Sequence, residues 1–491
     1  MADIPENSAP GYVGRLDASQ QEKLHQFWRI LMQSWDSTIP GPDPARKLSV
    51  SSSGTTKPHR RFFSLGRAQT QPTEEETTAV PSNLLSTLKS LGAGPDEIKT
   101  INTLCQRLPG DKLRAALISA LKQDHPDALC LRFIRAEKWN IPKAWIKLVS
   151  ALNWRVNEYK VDEEVLLKGE GYHLEKSRQS GDSIEKKDGQ GFVHQLKTGK
   201  GHYHGADKWG RPICIVRVRT HNPSDQTLKG LNDYIIHCIE TVRYLQVPPV
   251  ETMVNFSRSR SSQSHVDRLT FRFNQAIVFD LTSFSLSNWD FPPVKFIIDS
   301  FQENYPESLG ALIFYNAPWI FSGFWKIIHG ILDPVVAAKV HFISGAKELE
   351  KMVPRSQIIK ELGGEENWEY EYVEPSPKEN DRLKDSTTRE GILVERKKLG
   401  DDLFTLTTEW ISTFKSDPSP TSRDDVIRKL RENYWQLDPY VRVRSVLDRT
   451  GVINEGGRID FYPTKVSPEV NEKSKILPEH LDNAQIPAVA A

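Results

Sequence analysis

The stretch Tyr305-Pro-Glu-Ser-Leu-Gly-Ala-Leu-Ile-Phe-Tyr-Asn-Ala-Pro-Trp-Ile-Phe-Ser-Gly-Phe-Trp-Lys-Ile-Ile328 changes character twice. Tyr305 to Gly310 closes a helix and feeds a β-branched and aromatic run, Ala311 to Tyr315, that reads as a buried strand. Asn316-Ala-Pro318 is a turn, because Asn tolerates left-handed backbone and Pro cannot continue a ladder. Trp319 onward is aromatic at helical spacing, and Leu332-Asp-Pro334 and Lys339 follow. Gly323 and Gly330 suit a segment that hinges over an apolar cavity.

Outward from this stretch the same alternation continues. Ile213 to Val218, Gln275 to Phe279 and Val340 to Ile343 read as strands. Ile235 to Leu245, Val294 to Phe301 and Phe324 to Ile331 read as helices between them. Strands alternating with helices imply an α/β domain with a mainly parallel sheet. The Gly-rich run Gly199 to Gly205 reads as a turn loop. Its His202 and His204 lack a third ligand nearby in sequence, so no metal site is expected. Asp299, Glu303 and Glu307 at i, i+4 and i+8 imply one acidic helix face.

Before the α/β region the pattern is helical and local. Residues 81–165 hold an apolar stripe (Leu113, Leu117, Leu121) and a helix opened by Asn140 as N-cap and Pro142 in its first turn. Farther upstream, residues 1–39 contain an amphipathic helix carrying Leu24, Phe27, Trp28, Leu31 and Trp35. Ser19 and Glu22 have capping-box spacing. That face is expected to dock on the main body, with a membrane or partner as the alternative. Residues 40–80 are Ser/Pro-rich and basic (Arg46, Lys47, Lys57, Arg60, Arg61, Arg67), which predicts a disordered linker. Basic charge with Phe62 and Phe63 suits anionic lipid, and Ser64 sits in a context that suits phosphorylation. Residues 385–450 read as a helical extension (Leu403, Phe404, Trp410, Ile411, Phe414; then Val426, Ile427, Leu430, Tyr434 after a Ser422 cap), and 451–491 as a disordered tail.

Composition narrows the classes. The chain has 491 residues, 65 Lys plus Arg against 64 Asp plus Glu, and a net charge of +1, which argues against a nucleic-acid binder. Four unpaired-looking cysteines argue for a reducing, cytoplasmic setting. The longest uncharged run, Ser308 to Trp325, is broken by Gly310, Asn316, Pro318 and Gly323, so no transmembrane helix is expected. Signatures of hydrolases, nucleotide-binding loops and zinc helices are absent, and no enzyme is expected.

Three blocks in order resemble the CRAL-TRIO family of lipid-binding and lipid-transfer proteins. They are Leu131-Arg-Phe-Ile-Arg-Ala-Glu-Lys-Trp139 with Ala151-Leu-Asn-Trp-Arg155, then Asp207-Lys-Trp-Gly-Arg-Pro212, then Tyr305 to Lys339. The resemblance runs from about residue 80 to 370. Phe279 to Asn288 and Tyr434 to Ser445 are similar to the CSR1-type fungal branch. It implies a helical N-terminal module (81–165), a lipid-binding domain (170–372) with an apolar cavity under a gating helix, and extra terminal helices. It implies phosphatidylinositol as ligand with no cofactor or metal, its headgroup held by Glu307 and Lys339. The gate and acyl cavity map to Trp319, Phe321, Phe324, Trp325, Ile328, Ile331 and Leu332. A family Thr is Val336 here, and the family's phosphocholine-binding Ser and Thr align with Gln275 and Ile277, so weak phosphatidylcholine binding is expected. The implied partners are membrane phospholipids and a phosphoinositide kinase, for a monomer associating peripherally with endomembranes (endosome, endoplasmic reticulum or lipid droplet). A sterol, squalene or similar apolar ligand is the alternative.

Overall fold

A computed structural model describes residues 11–39, 80–246, 274–412 and 420–463. The 40–79 part of the expected linker, including Ser64, lies outside the described residues, as do 464–491.

Six helices build the first layer: α1 (Ala18–Gln33), α2 (Ser82–Ser90), α3 (Pro95–Arg107), α4 (Gly110–Leu121), α5 (Pro126–Ala136) and α6 (Ile141–Asn153). α1 is capped by Asp17 and Gln20 rather than by Ser19 and Glu22. The Asp17 carboxylate accepts from Gln20 N at 2.8 Å, and Gln20 Oε1 accepts from Asp17 N at 3.1 Å. The register moves because Asp17 is the last extended residue, and capping depends on that backbone switch. α6 is capped by Asn140, whose Oδ1 accepts from Lys143 N at 3.1 Å. Phe27, Trp28 and Leu31 are buried with Leu117, Trp145 and Leu148 in one core. The aromatic face of α1 therefore docks on the body of the protein.

After two π-helical turns (Trp154–Glu158 and Val161–Leu167), α7 (Gly169–Ser177) and α8 (Ile184–Thr198) lead into the sheet. Five strands lie in the order β1 (Gly201–Ala206), β2 (Pro212–Arg217), β3 (Gln275–Asp280), β4 (Leu309–Tyr315) and β5 (Val340–Ile343). β1 is antiparallel to β2 and the remaining pairs are parallel. The Gly-rich run expected as a loop is thus the edge strand β1. Its glycines hid the strand, since strand propensity is measured by packing that glycine lacks. The helices α9 (Leu228–Leu245) and α10 (Phe291–Asp299) join the strands.

The sheet is covered on both faces, which is why its strands are continuous apolar runs. Ile213, Ile215, Ala276, Val278, Ala311 and Ile313 face a layer containing Leu349, Met352, Ile358 and Leu362. Cys214, Ile277, Leu312 and Phe314 face the opposite way, toward α9, α10 and α11 (Phe321–Ile331). Beyond the short α12 (Pro334–Ala337) and α13 (Ala346–Leu349), the C-terminal part forms α14 (Ser386–Ser412), α15 (Pro420–Val441) and α16 (Val446–Arg449). α15 starts at Pro420, so Ser422 lies inside it and is not its cap. Residues 451–463, expected in the tail, are folded onto the body: Val452 and Ile453 are buried, and Ile453 pairs with Ile459.

α14 and α15 meet α1 and α5 over the helical module. Trp35 and Phe404 rings are 5.1 Å apart, and His25 stacks edge-on to Trp410 at 4.1 Å. Arg423 of α15 grips Asp127 of α5 with two bonds, 2.8 and 2.6 Å, while Trp28 Nε1 donates to the same carboxylate at 2.7 Å.

Candidate lipid-binding site

The cavity follows from the sheet's alternation. Every second residue of β2, β3 and β4 (Cys214 and Val216, Ile277 and Phe279, Leu312 and Phe314) points into one apolar space. α9 closes it with Leu231, Ile235 and Ile239, and α10 with Val294, Ile297 and Ile298. The fourth wall is α11, which contributes Phe321 and Ile328, followed by Leu332 and Val336. The cavity measures about 220 Å³.

The expected gate residues divide by face. Phe321, Ile328 and Leu332 reach the cavity. Phe324 stacks on Trp289 (4.3 Å) and meets Phe284 edge-on (5.8 Å). Trp325 packs on Phe314 and Phe342, at 5.4 and 5.3 Å. Trp319, 86% exposed, and Ile331 face outward. Gly323 and Gly330 both lie inside α11, with open space where a Cβ would be.

Hydrogen bonds pin both ends of α11. Asn316, at φ +52°, donates through Nδ2 to Thr282 Oγ1 at 3.0 Å, and its Oδ1 accepts from Gly345 N at 2.9 Å. At the other end Gln302 Oε1 accepts from Asp333 N at 2.6 Å, and Asp333 caps α12 by accepting from Val335 N at 2.7 Å. Between these anchors, among the described residues, α11 is held by side-chain packing and its own backbone bonds.

Tyr305, Glu307 and Lys339 sit at the amino end of the strands. The expected acidic face does not form: α10 passes into a π turn (Ser300–Asn304), and Tyr305 and Glu307 leave the helix, Glu307 at φ +59°. Tyr305 donates to Glu240 Oε1 at 2.7 Å. Burial alone would raise the Glu240 pKa, but Arg155, Lys122 and Arg243 offset it and hold the carboxyl well below its usual range. Glu307 lies 3.6 Å from Arg135 Nε. Lys339 Nζ donates to Leu309 O at 2.9 Å, and Lys339 lines a shallow open pocket with Gly310, Pro334, Val335, Ala338 and His341. Both charged residues therefore converge on the Glu307–Gly310 segment and lie off the cavity lining. Gln275, whose Oε1 is buried without a partner, and Ile277 do line the cavity.

The sequence by itself does not mark Arg135 as a site residue. Its signal was its place in the Leu131-to-Trp139 block, but nothing local shows that α5 meets the turn after Tyr305. His202 and His204 lie against Trp368, and His204 Nε2 is 2.9 Å from Glu366 Oε1. No group of three metal-ligating side chains occurs among the described residues. No helix among them is long and apolar enough to cross a membrane.

A helical module feeding a mainly parallel sheet with an apolar cavity under one helix defines a class. The chain matches the CRAL/TRIO N-terminal domain over residues 84–150 and the CRAL/TRIO domain over 196–364, and it belongs to the CRAL-TRIO family. More particularly, it is 33% identical to the phosphatidylinositol transfer protein CSR1 of Eremothecium gossypii, over 92% of this chain and 100% of that protein. It is 30% identical to the CRAL-TRIO domain-containing protein C3H8.02 of Schizosaccharomyces pombe, over 92% of this chain and 93% of that one.

Proposed function

We propose that this protein is a non-enzymatic carrier of phosphatidylinositol, which takes the lipid from a membrane into the cavity behind α11 and releases it at another. The observation that carries the reading is an apolar cavity walled by a helix whose ends are hydrogen-bonded and whose inner face is packed. The similarity to a protein named for phosphatidylinositol transfer supports it. Each buried CH₂ contributes about 0.8 kcal/mol, so acyl chains in the cavity offset much of the cost of leaving a bilayer. The present cavity of about 220 Å³ is below the ~300 Å³ lower end of drug-sized pockets, so two acyl chains require α11 to swing outward. Exposed Ile327 and Ile331, with Trp319 in the turn before the helix, give this segment an outer face suited to a bilayer surface.

The headgroup stays at the amino end of the strands. Lys339 and Arg135 supply cations for its phosphate, and Glu307 orients Arg135 and accepts inositol hydroxyls. The bound lipid is then presented to a phosphoinositide kinase. Gln275 and Ile277 do not reproduce a phosphocholine site, so phosphatidylcholine loads weakly. Mass spectrometry of co-purified lipid, followed by loading from vesicles of each phospholipid, tests the reading. Phosphatidylinositol is expected in the first and preferred in the second; equal loading of phosphatidylcholine sinks the selectivity.

A second reading, a carrier of sterol, squalene or a similar ligand, is favoured by one observation: Glu307 and Lys339 lie off the cavity lining. A co-purified neutral lipid would establish it.

A further inference from the structure

The end of the cavity opposite Gln275 carries a polar cluster that the phosphatidylinositol reading does not use. Lys200, His221, Asn288 and Asp290 line it. Lys200 is 6% exposed and His221 9%. Lys200 Nζ donates to His221 Nδ1 at 3.0 Å and to Gln226 Oε1 at 3.4 Å. His221 Nε2 lies 3.2 Å from Asp290 Oδ2. The Asp290 carboxylate fixes the tautomer with hydrogen on Nε2, which leaves the Nδ1 lone pair for the ammonium.

The cluster is built rather than incidental. Gly199 ends α8 in left-handed backbone at φ +60°, and the next residue is held on both sides: Lys200 N donates to Gln195 O at 3.1 Å, and Lys200 O accepts from Arg217 N at 2.7 Å. Asn288 Nδ2 holds His221 O at 2.9 Å. Four separate segments thus aim one ammonium at the end of an apolar space.

A buried ammonium is costly unless paired with an anion. Here its two acceptors are neutral, and the charges of Asp225 and of Asp290, the latter on the far side of the imidazole, offset only part of the cost. Burial accordingly pushes the Lys200 ammonium down to about 8, still charged at neutral pH. An ammonium has three donors and two are used.

The geometry points to a second ligand site in this cavity, which takes the carboxylate of a long-chain fatty acid on the Lys200 ammonium and its chain among the apolar walls. A carboxylate gives the third N–H a charge-assisted partner. One slim chain also suits the narrow cavity better than two. The site goes beyond the phosphatidylinositol reading and lies at the opposite end of the strands from Lys339.

The test uses the full chain, freed of co-purifying lipid, titrated by calorimetry with oleate and with methyl oleate. Oleate is expected to bind about tenfold or more tightly than its ester, the value of one charge-assisted hydrogen bond. In Lys200→Met the two ligands are expected to bind alike. Equal affinity in the unsubstituted protein, or a preference that survives Lys200→Met, overturns the proposal. The first comparison needs no variant, so it decides even if Lys200→Met does not fold. Phosphatidylinositol loading is read separately on phosphorus, so either reading fails without the other.

Discussion

The Arg135 guanidinium of α5 lies 3.6 Å from the Glu307 carboxylate, joining the helical module to the turn that opens β4. Lys339 closes on the same segment through Leu309 O. A phosphate brought there meets two cations from parts of the chain about two hundred residues apart. Lys339→Ala is expected to lower phosphatidylinositol loading about tenfold or more, by loss of one charge-assisted contact, with Tm unchanged. Arg135→Met is expected to act in the same direction. Loading by folded Lys339→Ala equal to that of the parent protein refutes the headgroup assignment.

Trp319 is almost fully in solvent, in the turn that leads into α11, the helix whose inner face closes the cavity. An exposed indole gains at the polar edge of a bilayer and little elsewhere. Trp319→Ala should reduce co-sedimentation with anionic vesicles severalfold and slow lipid transfer in step, without altering thermal stability. Unchanged partitioning removes α11 from the membrane contact.

The Arg423–Asp127 pair ties α15 to α5, with Trp28 of α1 on the same carboxylate. Arg423→Met leaves a buried, unpaired carboxylate, for which a loss of about 3–5 kcal/mol is expected in denaturant unfolding. Adding Asp127→Asn should recover part of it. A single-variant loss below about 1 kcal/mol, the ordinary surface value, contradicts this account.

Acid should destabilise the fold through buried histidines, His173 and His202 among them. Burial pushes His173 down to about 3, with His237 and lysines adding to it, and His202 down to about 4. His173 lies flat on Phe192 at 3.9 Å. An unfolded histidine titrates near 6.5, so below that pH the unfolded chain binds more protons than the folded one. The stabilisation is complete above pH 6.5 and is lost progressively as pH falls from there to about 4 for His202 and about 3 for His173. Tm measured from pH 7 to 4 should decline, and more shallowly in His173→Phe, which keeps the ring stack without the charge. Parallel profiles would show that His173 does not contribute.

Three departures of the structure from the sequence expectation share a cause: long-range contacts. Gly201–Ala206 was hidden as a strand because its pairing partner, β2, supplies what its own side chains do not. The acidic face of Asp299, Glu303 and Glu307 assumed an unbroken helix, but the Tyr305–Glu240 bond draws the chain out of it. Residues 451–463 fold rather than forming a tail because Val452 and Ile453 find cover on distant elements. Where the signal was local, as at Asn140 or along Val340–Ile343, structure and expectation coincide.

What the sequence determined by itself was periodic and local: the strands of the sheet, the buried face of α1, and the order of blocks that marks the family. Those follow from burial patterns and caps, which need only a few neighbouring residues. Only the tertiary structure decided which gate side chains face the cavity, that Glu307 pairs with Arg135, and that Lys200, His221 and Asp290 meet at one end of an apolar space. Such contacts depend on the angle at which elements cross, and residues far apart in the chain carry no local record of it.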